Sequence, residues 1–188
     1  MVDVLLGEVT TLLTDFFRLP GPAGLFKCTA GDVSIHDKNN DGGNEEEISE
    51  SIILSLVSIE EENVLKNNYP VRRSGSTIIQ EKSAVYINVY LLFAAKYANY
   101  DTALKAISQV IYCFQANKRL MLTTATGDDQ ECILQLFNMG FENLNNLWTV
   151  LGGRYLPSVV YKARVLMYQQ APPLAGRAII SIQENASV

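Results

Sequence analysis

Histidine and tryptophan are nearly absent: one of each in 188 residues. A Ser-His-Asp or Cys-His arrangement would have to use His36, and no activating motif surrounds any serine or cysteine. Phosphate-binding signatures are missing as well, with no P-loop and no GxGxxG. Cys28, Cys113 and Cys132 are odd in number, far apart, and outside any CxxC or zinc spacing. They read as inert buried thiols in a reducing compartment. No apolar run approaches the ~20 residues that span a bilayer. The opening MVDVLLGEVTTLL lacks the basic flank and small-residue cleavage site of a secretory signal. The net charge is −5, whereas a nucleic-acid binder carries a basic stripe. Paired carboxylates occur only in charge runs that read as solvated faces. These absences argue against an enzyme, a nucleic-acid partner and a membrane contact of its own. They call for no cofactor and no metal.

What remains is enough for one domain with its own core. The charged share is 19%, modest enough to fit a surface partly covered by partners. Val2, Leu5, Leu6, Val9, Leu12, Leu13, Phe16 and Phe17 follow the three-four spacing of one helix face. Asp3 suits the positive end of that helix, and Leu19-Pro20-Gly21-Pro22 stops it. An amphipathic membrane helix would want basic residues on its polar face, and this one is acidic. Short strands are expected around Leu25–Thr29 and Val33–His36. Asp37 to Glu47, DKNNDGGNEEE, reads as a polar loop. Asp37, Asn39, Asp41 and Gly42 imitate a calcium loop, but the twelfth position is Ile48 where glutamate belongs.

Ile48 to Ile59 reads as an interior strand with apolar residues on both faces. Residues 63–82 form a second polar excursion that carries Arg72-Arg73, an adjacent basic pair. A solvated loop and a docking contact for an acidic partner are the two readings of that pair. Val85 to Ala95 is the clearest strand, with Val85, Ile87, Val89, Leu91 and Phe93 on one face. Asn99 or Asp101 caps the next helix, whose expected stripe is Tyr100, Ala103, Leu104, Ile107, Val110, Ile111 and Phe114. Strands are expected at Leu120–Thr124 and Glu131–Phe137, then a short helix capped by Asn143. The organising stretch is Leu147–Tyr168, LWTVLGGRYLPSVVYKARVLMY. Gly152-Gly153 ends its helix and Pro157 opens its strand. Val159, Tyr161, Ala163, Val165 and Met167 point one way, and Val160, Lys162, Arg164, Leu166 and Tyr168 the other. Pro172-Pro173 then breaks the pattern before a strand-prone Ala178–Ile182.

Four stretches carry a resemblance: VDVLLGEVTTLL, AVYINVYLLFAAKY, DTALKAISQVIYCFQANKRL and LNNLWTVLGGRYLPSVVYKARVLMY. In this order and spacing the chain resembles the cap, or tail-terminator, family of phage-tail-like contractile injection systems, over most of residues 1–168. The last stretch, with its tryptophan helix and the lead Tyr155-Leu156-Pro157-Ser158 into a strand, is the most specific. The chain departs from the family where Lys82-Ser83-Ala84 replaces a proline-rich lead into the central strand, and in the acidic loop 37–47. Both departures bear on which neighbour a cap would meet.

The resemblance implies an α+β fold, a mixed and mostly antiparallel sheet flanked by helices. It implies a body of residues 1–170, with polar loops 37–47 and 63–82, and a C-terminal arm of 171–188. The implied role is structural: a hexameric ring that ends the inner tube and sheath and couples them. Its partners would be other copies of itself, sheath subunits and inner-tube subunits. It would assemble in the bacterial cytoplasm and then form part of the particle. A ring made of head-to-tail contacts needs two different patches on each copy. Arg72, Arg73, Arg154 and Tyr155 are the candidates, because arginine and tyrosine are enriched at interfaces. Ala178, Ile179, Ile180, Ser181 and Ile182 are a candidate strand for pairing with a sheath subunit. The alternatives are a small-molecule-binding domain and a calcium-dependent adaptor acting through loop 37–47.

Overall fold

The computed structural model describes residues 1–19, 26–33, 50–62, 71–74, 77–80, 85–123, 129–152, 155–167 and 174–177. In chain order the elements are α1 (Val2–Arg18), β1 (Cys28–Ala30), β2 (Ser51–Glu61), β3 (Val71–Ser74), β4 (Thr77–Gln80) and β5 (Val85–Lys96). Then come α2 (Tyr100–Ala116), β6 (Arg119–Thr123), β7 (Asp129–Leu136), α3 (Phe141–Leu151), β8 (Ser158–Met167) and β9 (Leu174–Arg177). Six strands form one sheet in the order β1-β2-β5-β8-β7-β6. Only β1 and β2 pair in parallel; the other neighbours are antiparallel. The mixed, mostly antiparallel sheet expected from the resemblance is therefore present, with three helices around it.

The alternation read in β5 and β8 sorts directly onto the two sheet faces. Val89, Leu91, Phe93, Tyr161, Ala163 and Val165 enter the larger core, under α1 and α2. At its centre Phe93, Phe114 and Tyr161 form a triangle of rings with centroids 4.8 to 5.8 Å apart. α1 buries Leu5, Val9, Leu13 and Phe17 against the same face. Seventeen helical residues reach about 25 Å, and five strand spacings about 24 Å. That match explains how α1 touches β1 at one edge of the sheet and β6 at the other. Ile53, Leu92, Ala94 and Val160 face the other way, into a smaller core under Trp148 of α3.

Local signals set most of the boundaries. Asn99 caps α2, its side chain accepting from the Asp101 N–H at 2.9 Å. Gly152 ends α3 with φ of 65°, the left-handed region that favours glycine. Pro157 leads β8, and its carbonyl accepts from the Ala95 N–H. Three expectations need correction. The buried stripe of α2 is Ala103, Ala106, Val110, Cys113 and Phe114, while Tyr100 and Leu104 are exposed. The stripe is turned towards Ala106 and Cys113, which leaves Tyr100 and Leu104 on the solvent side while Phe114 stays in the core. Asn143 is not the cap of α3, because the helix begins after Gly140. Arg72-Arg73 lie in a strand and not in a loop: β3 pairs with β4, and β4 with β9, as a second three-stranded sheet. β9 falls within the expected C-terminal arm. Residues 34–49, including His36 and the acidic loop 37–47, lie outside the described residues.

Candidate functional site

On the sheet's outer face α3 packs over Ile53, Leu92, Ala94 and Val160. Beyond its reach the same strands carry polar residues. The register sets Asn88 of β5 between Glu60 of β2 and Arg164 of β8, and Tyr90 beside Lys162. Glu62 follows β2 and turns its carboxylate onto this surface. Its Oε2 accepts from Asn88 Nδ2 at 2.9 Å and stands 3.5 Å from Arg164 Nη2 and 3.6 Å from Lys162 Nζ. The Glu62 side chain is only 14% exposed, so water screens these pairs less than it does an open surface pair. One carboxylate thus ties three strands where the chain leaves the sheet towards β3. Tyr90 donates its hydroxyl to Glu60 Oε2 at 3.0 Å, and its ring stands 4.9 Å from Phe137. Desolvation, the bond to Glu60 and the charges of Glu60 and Glu62 raise its pKa. Asn88 Oδ1 and Arg164 Nε have no hydrogen-bond partner among the described residues. The cluster offers charge and hydrogen bonds.

This cluster was not singled out from the sequence. Glu60-Glu61-Glu62 read as a charged exit from a strand. The available signal was Asn88 in an otherwise apolar strand, together with Lys162 and Arg164 alternating on one face of β8.

The candidate interface residues fall apart from one another. Tyr155 is exposed, and its ring meets buried Trp148 edge-on at 5.7 Å. Arg154 and Ala178–Ile182 lie outside the described residues. Arg72 and Arg73 stand at register positions opposite Ile79 and Ile78 in the small sheet. The register of β9 adds Arg177 opposite Thr77. Three arginines and no carboxylate therefore share twelve strand residues.

A cleft of about 340 Å³ opens between the end of α2 and β7, with Ile111, Phe114, Leu136 and Tyr161 in its walls and Gln115, Lys118 and Gln135 its polar groups. The thiols are poor nucleophiles. Burial pushes Cys28 and Cys132 up to about 12 and Cys113 to about 11. Among the described residues no cluster of metal-ligating side chains occurs, and no helix is long and apolar enough to cross a membrane.

A family model described as the Pvc16 N-terminal domain matches residues 8–181. The chain belongs to the Pvc16 N-terminal domain family. Two solved structures share the fold. One is the sheath/tube terminator of an extracellular contractile injection system, PVC, in its extended state. It is 14% identical with a TM-score of 0.63, over 100% of this chain and 63% of that one. The other is the tube-terminating cap of the anti-feeding prophage, 16% identical with a TM-score of 0.65, over 98% of this chain and 60% of that one. The Pvc16-type chain thus spans less than two thirds of either neighbour. At these identities the likeness is one of fold. No curated protein matches it.

Proposed function

We propose that this Pvc16-type chain is a structural cap of a contractile injection system, acting by shape and not by catalysis. Copies form a hexameric ring that ends the inner tube and the sheath and couples the two. The match of the family model across residues 8–181 carries this reading, and the fold shared with a sheath/tube terminator and with a tube-terminating cap supports it. Its partners are further copies of itself, sheath subunits and inner-tube subunits, without nucleic acid. It assembles in the bacterial cytoplasm and ends as part of the particle.

In this reading residues 1–170 are the body and 171–188 an arm rooted by β9. Arg72, Arg73, Arg154 and Tyr155 contact neighbours, and Ala178–Ile182 adds a strand to a sheath subunit. Because β9 completes the small sheet, the informative truncation removes residues 178–188 only. It should leave folding and the ring intact and abolish sheath capping; normal capping would sink the role given to the arm. The central test is mass in solution, alone and with the sheath and tube proteins. A ring of six, or a monomer that becomes one on those partners, is the expected result. A monomer indifferent to both would overturn the cap.

A further inference from the structure

Among the described residues the most exposed large apolar side chain is Phe141, at 91%. It opens α3, and a regular helical turn holds it in place: the Gly140 carbonyl accepts from the Leu144 N–H at 3.0 Å. Glu142 follows it in the first turn, exposed and with no ion pair among the described residues. A phenyl ring facing water contributes nothing to folding. An aromatic side chain that fills a pocket on a partner is the usual anchor of an interface.

A socket of matching size and charge lies on the other side of the sheet. The cleft between the end of α2 and β7 measures about 340 Å³, with Ile111, Phe114, Leu136 and Tyr161 in its walls. An apolar cavity of about 150 Å³ takes up a benzene ring, so the cleft has room for a phenylalanine side chain. Lys118 is one of its polar groups, exposed and with no ion pair among the described residues. Its carbonyl accepts from the Leu134 N–H, which ties it to β7. α3 packs with Val160 on the outer face, whereas Phe114 and Tyr161 belong to the core under α1 and α2. Consecutive strand residues point to opposite faces, so Phe141 belongs to the layer on one side of the sheet and the cleft to the other. A contact between two such different patches is heterologous, the kind that propagates around a ring. The carboxylate beside the ring and the ammonium in the cleft are opposite in sign, which favours this pairing over others.

We propose that Phe141 of one copy enters the α2–β7 cleft of a second copy, with Glu142 of the first beside Lys118 of the second. This rests on the ring reading above and gives that ring a contact between copies. The test uses the full chain with its sheath and tube proteins. Phe141→Ser should keep the wild-type urea midpoint, because the ring is exposed, and should raise the concentration needed for ring assembly by about tenfold or more. Glu142→Lys and Lys118→Glu should each weaken assembly, and the two together should restore it. A photoreactive benzoylphenylalanine placed at position 141 should crosslink to residues 111–118 or 133–136 of another copy, read by mass spectrometry of the joined peptides. Rings that form normally with Phe141→Ser, or crosslinks that run only to other parts of the chain or to sheath or tube subunits, would overturn this contact and leave the cap reading standing. Wild-type protein that forms no ring alone or with those partners would remove both.

Discussion

The two faces of the central sheet are built from the same strands and follow different rules. Under α1 and α2, consecutive inward positions of β5 are Val89, Leu91, Phe93 and Ala95, all buried. On the outer face the alternate positions change along the strand. Leu92 and Ala94 are apolar where α3 covers them, and Asn88 and Tyr90 are polar where it does not. The covered face owes its stability to burial and ring packing, which need no partner beyond the chain itself. The polar half beyond α3 owes its order to one carboxylate shared by an amide and two cations. It leaves Asn88 Oδ1 and Arg164 Nε without partners among the described residues. A face of the first kind stores folding energy. One of the second kind holds strands in register through buried polar contacts.

Substitutions can break this contrast, and the covered face should give the largest effect. Phe93 is fully buried at the centre of the ring triangle, so Phe93→Ala should cost about 3–5 kcal/mol, read as a shift of the urea midpoint. A loss under about 1 kcal/mol would mean the triangle is not the keystone of the core.

Alkaline pH should come next. The folded state raises Cys28, Cys113 and Cys132 above their ordinary value of 9.0, to about 12, 11 and 12. Above pH 9 the unfolded chain loses those protons first, so stability is intact below pH 9 and declines as pH rises towards 11. Urea midpoints at pH 8, 9, 10 and 10.5 measure this, and a flat profile would show that the thiols are not buried as described.

On the polar half, Glu62→Gln removes the charge that balances Lys162 and Arg164. A loss of about 1–2 kcal/mol is expected, less than for a fully buried pair because both cations are partly exposed. Asn99→Ala, remote from both faces, should cost about 1 kcal/mol through the lost cap. The smallest effect has the opposite sign. Glu50 is the only described non-glycine residue with positive φ, at 71°, and Glu50→Gly should relieve up to about 1 kcal/mol. If Glu62→Gln costs as much as Phe93→Ala, the two faces are not different in kind.

Much of the fold was legible because burial leaves a periodic mark. The alternations in β5 and β8, the three-four spacing of α1 and the glycine stop after Leu151 each fix an element by a local rule. Elements failed where the rule needed a neighbour. The stripe of α2 was misplaced because close packing selected Ala106 and Cys113 over the larger Tyr100 and Leu104. β3 and β4 were hidden in a polar excursion because four-residue strands have no periodicity of their own. Their third strand arrives from Leu174, almost a hundred residues further along the chain. The polar cluster was hidden for the same reason, since Glu62, Asn88 and Arg164 are adjacent only through strand register.

The sequence alone determined which residues could be inside and which segments could be helix or strand. Those properties depend on side-chain chemistry and on backbone preferences a few residues long. Only the tertiary structure decided that Glu62 meets Lys162 and Arg164 and that β9 joins β4. Each depends on pairing between segments distant in the chain, and strand register is set by the packing of the whole sheet against its helices.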